Sequence, residues 1–299
     1  MNCASRETMS RSGELLGLMR TTISLAAMLI AAFPVAAMAQ DVVAPEESVF
    51  DGDHITIGVA AIYGPSYDGS DDYVVSPVPV VQGNLEGITI TPRPGGVALD
   101  LIPDGKDTAI GFSLGPVATL SRNRASQIED PVVRAAGKLD AAIELGANGG
   151  VTFYKLLHGY DSLTVSADVK WDVAGAHSGR TISPAVSYFT PLSKAALVTL
   201  SASMKHVDDD FARYYYSVSP AQSTASGLPR FDAKGGWESW SLCLLGGYDL
   251  NGNALDGGFA VFALANYSRL MNDAKARPYT SLRGDSDQWT LGLGLGHTV

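Results

Sequence analysis

The stretch that decides the fold is residues 163–172, with the sequence LTVSADVKWD. Polar and apolar residues alternate along it, the apolar set being Leu163, Val165, Ala167, Val169 and Trp171. Successive side chains of a β-strand point to opposite faces, whereas an α-helix would scatter such a set around its axis. The stretch therefore predicts a strand with one apolar face and one polar face.

The same alternation recurs along most of the chain. A tilted strand of about ten residues is long enough to cross a bilayer. Because lipid offers no hydrogen-bond partner to an open sheet edge, such strands must close on themselves. We therefore predict an all-β, transmembrane, antiparallel up-and-down β-barrel, with an even number of strands as is usual in bacterial outer membranes. The twelve predicted strands are residues 53–63, 73–82, 86–92, 95–101, 108–119, 138–154, 162–172, 180–190, 195–206, 235–249, 256–269 and 286–299.

The connections between these strands alternate in length, as do the short periplasmic turns and longer outer loops of outer-membrane barrels. We predict short turns near residues 83–86, 102–107, 155–161, 191–194 and 250–255. We predict longer polar loops near residues 64–72, 120–137, 172–179, 207–234 and 270–285. Aromatic residues favour strands in general, but those near strand ends are also typical of interfacial girdles. They are Tyr63, Tyr73, Tyr154, Trp171, Tyr188, Trp237, Trp240, Tyr248, Tyr267 and Trp289.

The first 39 residues predict a cleaved secretory signal. Arg20 precedes an apolar run at 23–35, and Ala-Met-Ala at 37–39 is a small-x-small cleavage site. The run is shorter than the roughly 20 residues of a spanning helix, which disfavours a membrane anchor. Translation starting at Met1, Met9 or Met19 is compatible with this signal. We expect an acidic periplasmic tail at residues 40–52 and the barrel at residues 53–299.

Composition excludes several classes of function. The net charge is −10 and no basic stripe is present, so nucleic acid is not an expected partner. Charged residues make up 17% of the chain, below the roughly 25% of soluble domains. The two cysteines are Cys3, in the predicted signal, and Cys243, so the mature chain has no internal disulfide and no zinc or CxxC spacing. We expect no cofactor.

The adjacent pair His177-Ser178 is the first candidate for catalysis. Nucleophilic catalysis needs a base within hydrogen-bond reach of the hydroxyl and a third group that orients the base. Adjacent side chains of a strand point to opposite faces, and the surrounding sequence, GAHSG, is typical of a glycine-rich outer loop. We therefore expect no catalytic residues and no enzymatic activity.

Clustered carboxylates in the predicted loops are a second candidate site, because Ca²⁺ takes six to eight oxygen ligands. The clusters are Asp71-Asp72, Glu129-Asp130 and Asp208-Asp209-Asp210. None has the spacing of an EF-hand loop. We interpret them as solvated outer loops that meet the cation-rich lipopolysaccharide surface, and we expect no metal site.

Charged residues on the polar faces of neighbouring strands would point into the barrel. They are Lys138, Asp140, Glu144, Asp168, Lys170 and Asp172. Eight strands leave room only for side chains, whereas sixteen leave a channel. For about twelve strands, two interpretations stay open: a cation-selective lumen, or a salt-bridged plug that makes a narrow barrel rigid.

Two further features are given neither a catalytic nor a ligand-binding role. Cys243 falls on a predicted strand with the inward residues Ser239, Ser241 and Leu245, and a lone thiol is more often packing than function. The run Tyr214-Tyr215-Tyr216 is interpreted as an anchor at the membrane interface.

Several segments spread over the predicted barrel carry a family resemblance. They are GPSYDGSDDY at 64–73, GAHSG at 175–179, YYSVSPAQS at 215–223 with SGL at 226–228, SRLMNDA at 268–274 and GLGLG at 292–296. In this order they resemble the MipA/OmpV family of outer-membrane proteins. The resemblance implies an outer-membrane barrel without catalytic residues. It also implies either a scaffold that links a murein hydrolase, a lytic transglycosylase, to a peptidoglycan synthase, or an osmoregulated surface protein.

Four functional hypotheses follow. The favoured one is a non-enzymatic scaffold or surface structural protein of the cell outer membrane, in contact with lipid and lipopolysaccharide. The alternative is a narrow diffusion channel for small solutes, which predicts discrete conductance steps. A lipid-acting barrel enzyme would need a converging nucleophile and base. A soluble lipocalin-like barrel would turn its apolar face inward and close with eight strands.

Overall fold

The computed structural model of the chain describes residues 48–105 and 108–299. Twelve antiparallel strands form one closed barrel. They are β1 (His54–Pro65), β2 (Tyr73–Leu85), β3 (Ile88–Arg93), β4 (Gly96–Asp100), β5 (Ile110–Ser121), β6 (Ala142–Tyr154), β7 (Ser162–Asp172), β8 (Arg180–Pro191), β9 (Ala196–Val207), β10 (Gly236–Asp249), β11 (Gly258–Leu270) and β12 (Asp287–Thr298). Each strand pairs with its neighbours in sequence, and β12 closes the barrel on β1. The predicted signal at 1–39 and residues 40–47 of the predicted tail lie outside the described residues.

The predicted up-and-down barrel of about twelve strands is confirmed. The largest difference concerns the predicted strand 138–154, which begins only at Ala142. A short helix, Pro131–Ala135, precedes it, and Gly137 has a φ of 96° that turns the chain. Lys138 and Asp140 are therefore exposed in a loop and do not line the interior, so their predicted inward position is wrong.

The connections fall into two sets at opposite ends of the barrel. One end has the turns 86–87, 155–161, 192–195 and 250–257 and, between β4 and β5, residues 101–105 and 108–109. The other end has the tight β3–β4 turn and the longer loops 66–72, 122–141, 173–179, 208–235 and 271–286. The longer loops contain helices α1 (Pro131–Ala135), α2 (Asp209–Tyr216), α3 (Pro220–Ser226), α4 (Asn272–Ala276) and α5 (Pro278–Ser281). A further 3-10 helix, Val49–Asp51, precedes β1.

The exterior of the barrel is apolar. Large apolar side chains on alternate positions of the strands are exposed, among them Ile57, Val75, Phe112, Val165, Leu200 and Leu293. An apolar outer face suits contact with acyl chains. It also excludes the soluble lipocalin-like alternative, which requires that face to be buried. Within residues 48–105 and 108–299, no helix is long and apolar enough to span a membrane.

Aromatic residues form two groups where several strands meet the loops. The rings of Tyr63 and Tyr73 lie 5.2 Å apart. Those of Tyr267 and Trp289 lie 5.1 Å apart, and those of Trp240 and Tyr267 lie 5.4 Å apart. These residues belong to five adjacent strands, β2, β1, β12, β11 and β10. Their alignment at one level supports the girdle interpretation over ordinary strand composition.

The buried side-chain amide of Asn148 supplies hydrogen bonds beside one of the two shortest strand pairings in the barrel. The β4–β5 pairing extends only from Gly96 to Ala98 on β4, and Pro116 on β5 has no N–H to donate. The Nδ2 atom of Asn148 on β6 donates to the carbonyl oxygens of Leu99, at 2.8 Å, and Gly115, at 2.9 Å. Because buried carbonyl groups need donors, Asn148 replaces hydrogen bonds that the short strand cannot make.

Candidate functional site

A folded structure built from the long loops lies over one end of the barrel. It has two apolar clusters. The first contains Val207, Phe211, Ala212, Tyr215, Tyr216, Ala233, Leu270 and Ala274. The second contains Tyr67, Ile128, Val133, Ala136, Val218, Leu228 and Tyr279. We call this structure, made of residues 66–72, 122–141, 173–179, 208–235 and 271–286, the loop cap.

Helix α2 positions the first cluster. The Asp208 carboxylate caps the helix by accepting from the Phe211 N–H at 3.0 Å, and it accepts from the Arg180 N–H at 2.7 Å. Such N-caps stabilise a helix by roughly 1 kcal/mol. The helix turns Tyr215 and Tyr216 into the cap core, where both are buried. The predicted role of Tyr214-Tyr215-Tyr216 as a membrane-interface anchor is therefore wrong.

The loop carboxylates stabilise the cap. The Asp130 carboxylate accepts from the N–H groups of Val132 and Val133, at 2.8 and 2.9 Å, and pairs with Arg283 at 2.6 Å. Burial by itself raises the pKa of Asp130, but the hydrogen bonds from Arg283 and the two N–H groups outweigh burial and lower that pKa.

Two acidic residues of the 208–210 cluster also have structural roles. Asp209 accepts from the Gly235 N–H at 2.8 Å, and Asp210 pairs with Arg213 at 2.7 Å. Among the described residues, no group of three His, Cys, Asp or Glu side chains is arranged to hold a metal. Asp130 and Asp208 thus cap helices, Asp209 bonds to the backbone of another part of its loop, and Asp210 forms an ion pair.

The structure separates the side chains of His177 and Ser178. His177 is buried, whereas Ser178 is exposed and has a φ of 52°. The Nδ1 atom of His177 accepts from the Gly179 N–H at 3.0 Å, which leaves the proton of a neutral ring on Nε2. Nε2 lies 3.4 Å from Oε1 of Glu144. His177 thus joins the cap to a carboxylate inside the barrel, and the serine takes no part.

A charged layer lies inside the barrel beneath the loop cap. The Lys170 ammonium donates to Oε2 of Glu144 at 2.6 Å and to Oγ1 of Thr119 at 2.9 Å. Thr119 in turn donates to the same Glu144 oxygen at 2.9 Å. Arg93 forms two hydrogen bonds with Asp168, at 2.7 and 3.3 Å. Of the residues predicted to face inward, Glu144, Asp168 and Lys170 do so and are paired.

Asp172 ends β7 and has a different role. Its carboxylate accepts from the N–H groups of Ala174, His177 and Ser178, at 2.8 to 2.9 Å. These bonds fold the 173–179 loop back over the barrel. Asp172 therefore organises a loop of the cap instead of lining a lumen.

Glu238 is an interior residue that alternation did not predict, because a β-bulge turns it inward. The β9–β10 register shifts between Trp237 and Ser239, so Glu238 shares the inner face with Ser239, and simple alternation would place it on the lipid side. Its carboxylate binds the Lys205 ammonium at 2.8 Å and the Tyr216 hydroxyl. A buried acid on an apolar face is costly, so its apparent outward position is the signal that a bulge occurs there.

The interior beyond this layer is narrowed by side chains. Phe262 of β11 faces Gly294 of β12, where an added Cβ would come within 2.2 Å of the ring. A Cβ added at Gly292 would come within 2.7 Å of the Ile62 side chain. Cys243 is a half-buried free thiol on β10. The inward glycines of β12 thus make room for the side chains of Phe262 and Ile62.

A cavity lies at the opposite, turn end of the barrel. Its volume is about 300 Å³, and its lining includes Asp104, Tyr154, Lys155, Tyr160 and Phe189. The Tyr154 hydroxyl donates to Asp104 at 2.7 Å. The two ends therefore differ: one carries a folded cap and the other has an open recess.

Comparisons with known proteins identify a family for this chain. The model of a family described as MltA-interacting protein MipA matches residues 57–299. The comparison with curated proteins gives no significant match. Among solved structures, the chain is similar to an outer membrane channel from Pseudomonas putida F1, with 13% identity, a TM-score of 0.44, and coverage of 87% of this chain and 100% of that one.

Two other solved structures are also similar. The outer membrane channel DcaP of Acinetobacter baumannii has 8% identity and a TM-score of 0.36, with 88% of this chain and 69% of that one covered. The toluene transporter TodX of Pseudomonas putida has 8% identity and a TM-score of 0.36, with 83% and 89% covered. At such low identities and TM-scores, these likenesses carry no argument about function.

Proposed function

The chain belongs to the MipA family, and from that membership we propose that it is a non-enzymatic outer-membrane scaffold for peptidoglycan-remodelling enzymes. The family description names an MltA-interacting protein, so a murein hydrolase of the MltA kind is the first partner to test, and a murein synthase is the second. The barrel would anchor the assembly among outer-membrane lipid and lipopolysaccharide.

The loop cap is the observation that carries this proposal. A channel needs an open path past the loops at its mouth, whereas two buried apolar clusters hold the loop cap together over this end of the barrel. Burying one large apolar side chain contributes roughly 1.5–3 kcal/mol. Beneath the cap, the charges of Glu144 and Lys170 neutralise each other. A capped and internally paired barrel suits an anchor better than a conduit.

The turn end offers the docking face in this proposal. If the chain termini lie in the periplasm, as the predicted export signal and even strand number favour, so do these turns. Large apolar residues at their tips are exposed, namely Leu101, Leu156, Leu157, Leu192 and Leu250. Exposed apolar residues grouped on one surface are typical of protein contacts. Leu157, at 76% exposed, is the most accessible of them.

A binding measurement with matched variants tests the scaffold proposal. The barrel is reconstituted in vesicles and titrated with a purified lytic transglycosylase of the MltA kind. Leu157→Ser should weaken binding at least tenfold. Leu282→Ser, on a 58% exposed residue of the loop cap, serves as the control and should leave binding unchanged. Absence of wild-type binding, or equal effects of the two variants, would contradict the proposal.

The narrow channel is the second candidate, because some interior charges keep contact with solvent. The Lys205 side chain is 31% exposed although it faces Glu238 inside the barrel. Conductance of the refolded barrel in planar bilayers distinguishes the candidates. The scaffold predicts no discrete steps. Steps that become less cation-selective in Asp168→Asn would instead support conduction past the interior carboxylates.

A further inference from the structure

Two arginines are buried inside the loop cap. Arg124 lies in the 122–141 loop and Arg277 in the 271–286 loop, and each is only 1% exposed. Taking a cation out of water costs several kcal/mol unless an anion and hydrogen-bond acceptors replace the water. Each of these two guanidinium groups therefore requires an anion and acceptors close by.

Arg124 has few partners. Its Nη2 donates to the carbonyl oxygen of Gly137 at 3.2 Å, and its guanidinium lies 3.9 Å from the centre of the Tyr279 ring. Its Nε and Nη1 are buried and find no acceptor among the described residues. Arg124 also has a φ of 57°, a left-handed conformation that a non-glycine residue rarely adopts and that is common at functional sites.

Arg277 flanks the same short helix, α5. Its Nε donates to Oγ1 of Thr280 at 2.9 Å, and its Nη2 donates to the carbonyl oxygen of Asp68. Its Nη1 is buried without an acceptor in the part of the chain that the structure describes, and so is the Tyr279 hydroxyl. Tyr279 and Thr280 are consecutive, so the two arginines and the free hydroxyl belong to one small region.

Neighbouring buried carboxylates are already engaged. Asp130 pairs with Arg283 of the cap, and Glu238 pairs with Lys205 of β9. The Asp68 carboxylate, which lies nearby, instead accepts from Asn123 at 2.8 Å. Burial lowers the pKa of Arg124 and outweighs the effect of the neighbouring Tyr279, which raises it. Among the described residues, neither Arg124 nor Arg277 forms an ion pair with a carboxylate, so the region around α5 has more buried donors than acceptors.

We propose that the loop cap binds a small free oxyanion, with inorganic phosphate as its model, between Arg124 and Arg277. Four buried donor atoms need several acceptor lone pairs, which an oxyanion supplies and a single water molecule does not. Because both guanidinium groups are 1% exposed, the ligand is a free ion and not a headgroup attached to lipid. Binding would join the 122–141 loop to the 271–286 loop and stabilise the cap.

Equilibrium dialysis with labelled phosphate tests this site on the purified mature barrel in detergent. Wild type should bind one phosphate per chain, and sulfate should compete with it. Arg124→Gln should abolish binding. Arg122→Gln makes the same charge change at an exposed position two residues away and should bind like wild type. Since Arg124→Gln risks misfolding, Arg124→Lys, which keeps the cation and loses guanidinium donors, should weaken binding at least tenfold.

Near-ultraviolet circular dichroism supplies a second readout, because the cap core contains Tyr215, Tyr216 and Tyr279. At constant ionic strength, phosphate at ten times its Kd should raise the melting temperature of this signal by about 3–5 °C. The proposal is overturned if wild type binds no phosphate, if binding appears only with phosphate-bearing lipid, or if both Arg124 variants bind like wild type.

Discussion

Removing the buried Glu238–Lys205 pair in a double-mutant cycle gives the sharpest test of the charged layer. The Glu238 side chain is 3% exposed and that of Lys205 is 31% exposed, with 2.8 Å between the charged groups. The cycle consists of Glu238→Leu, Lys205→Met and the double variant. Apolar replacements of similar size avoid leaving a large cavity.

The structure sets the expected magnitudes. Glu238→Leu removes a charged hydrogen bond to Lys205, worth about 1.5–3 kcal/mol, and the bond from the Tyr216 hydroxyl, worth about 1 kcal/mol. Because the unpaired Lys205 ammonium keeps contact with solvent, Glu238→Leu should lower the free energy of unfolding by about 3 kcal/mol. Lys205→Met leaves a more deeply buried carboxylate and should cost about 3–5 kcal/mol. The double variant has no unpaired charge. It should therefore be about 2 kcal/mol more stable than the sum of the two single-variant losses predicts.

Urea unfolding in lipid vesicles, followed by tryptophan fluorescence, measures these free energies. The exposed pair Asp210–Arg213 is the control, because such surface pairs contribute about 0–1 kcal/mol. Asp210→Ala should therefore cost less than about 1 kcal/mol. A coupling below about 0.5 kcal/mol, or equal costs for Glu238→Leu and Asp210→Ala, would refute the reasoning.

Three further outcomes are expected. Val165→Arg places a charge on the lipid face and should cost about 2–4 kcal/mol of unfolding free energy in vesicles if the site lies at mid-membrane; an unchanged value would place Val165 elsewhere. The pKa of Asp130 is lowered in the folded protein. Its carboxylate therefore stabilises the loop cap at pH values above the ordinary aspartate pKa of about 4. This stabilisation is lost as the pH falls through the lower pKa of the folded state. Asp130→Asn should therefore flatten the pH dependence of cap proteolysis below pH about 4, and a profile identical to wild type would contradict this. Gly294→Val meets the Phe262 ring and should cost at least about 1–3 kcal/mol, whereas Gly246→Val, which meets no atom within 4 Å, should cost less; equal costs would contradict close packing inside the barrel.

The candidate site was predictable only in part. Glu144, Asp168 and Lys170 lie on regular strands, so alternation assigned them correctly to the interior. Glu238 escaped because one extra residue in a bulge reverses the alternation locally. Lys138 and Asp140 were misplaced because helix α1 and Gly137 interrupt what resembles a continuous alternating run.

The sequence by itself determined the strands, their inner and outer faces and the closed barrel. Alternation is a property of each strand's own backbone, and lipid forces every strand edge to pair. Only the tertiary structure decided the loop cap and the partners of its charges. Asp130 and Arg283 are 153 residues apart in sequence, and Asp68 and Arg277 are 209 apart. Contacts over such separations depend on loops brought together by barrel closure, and they leave no local pattern in the sequence.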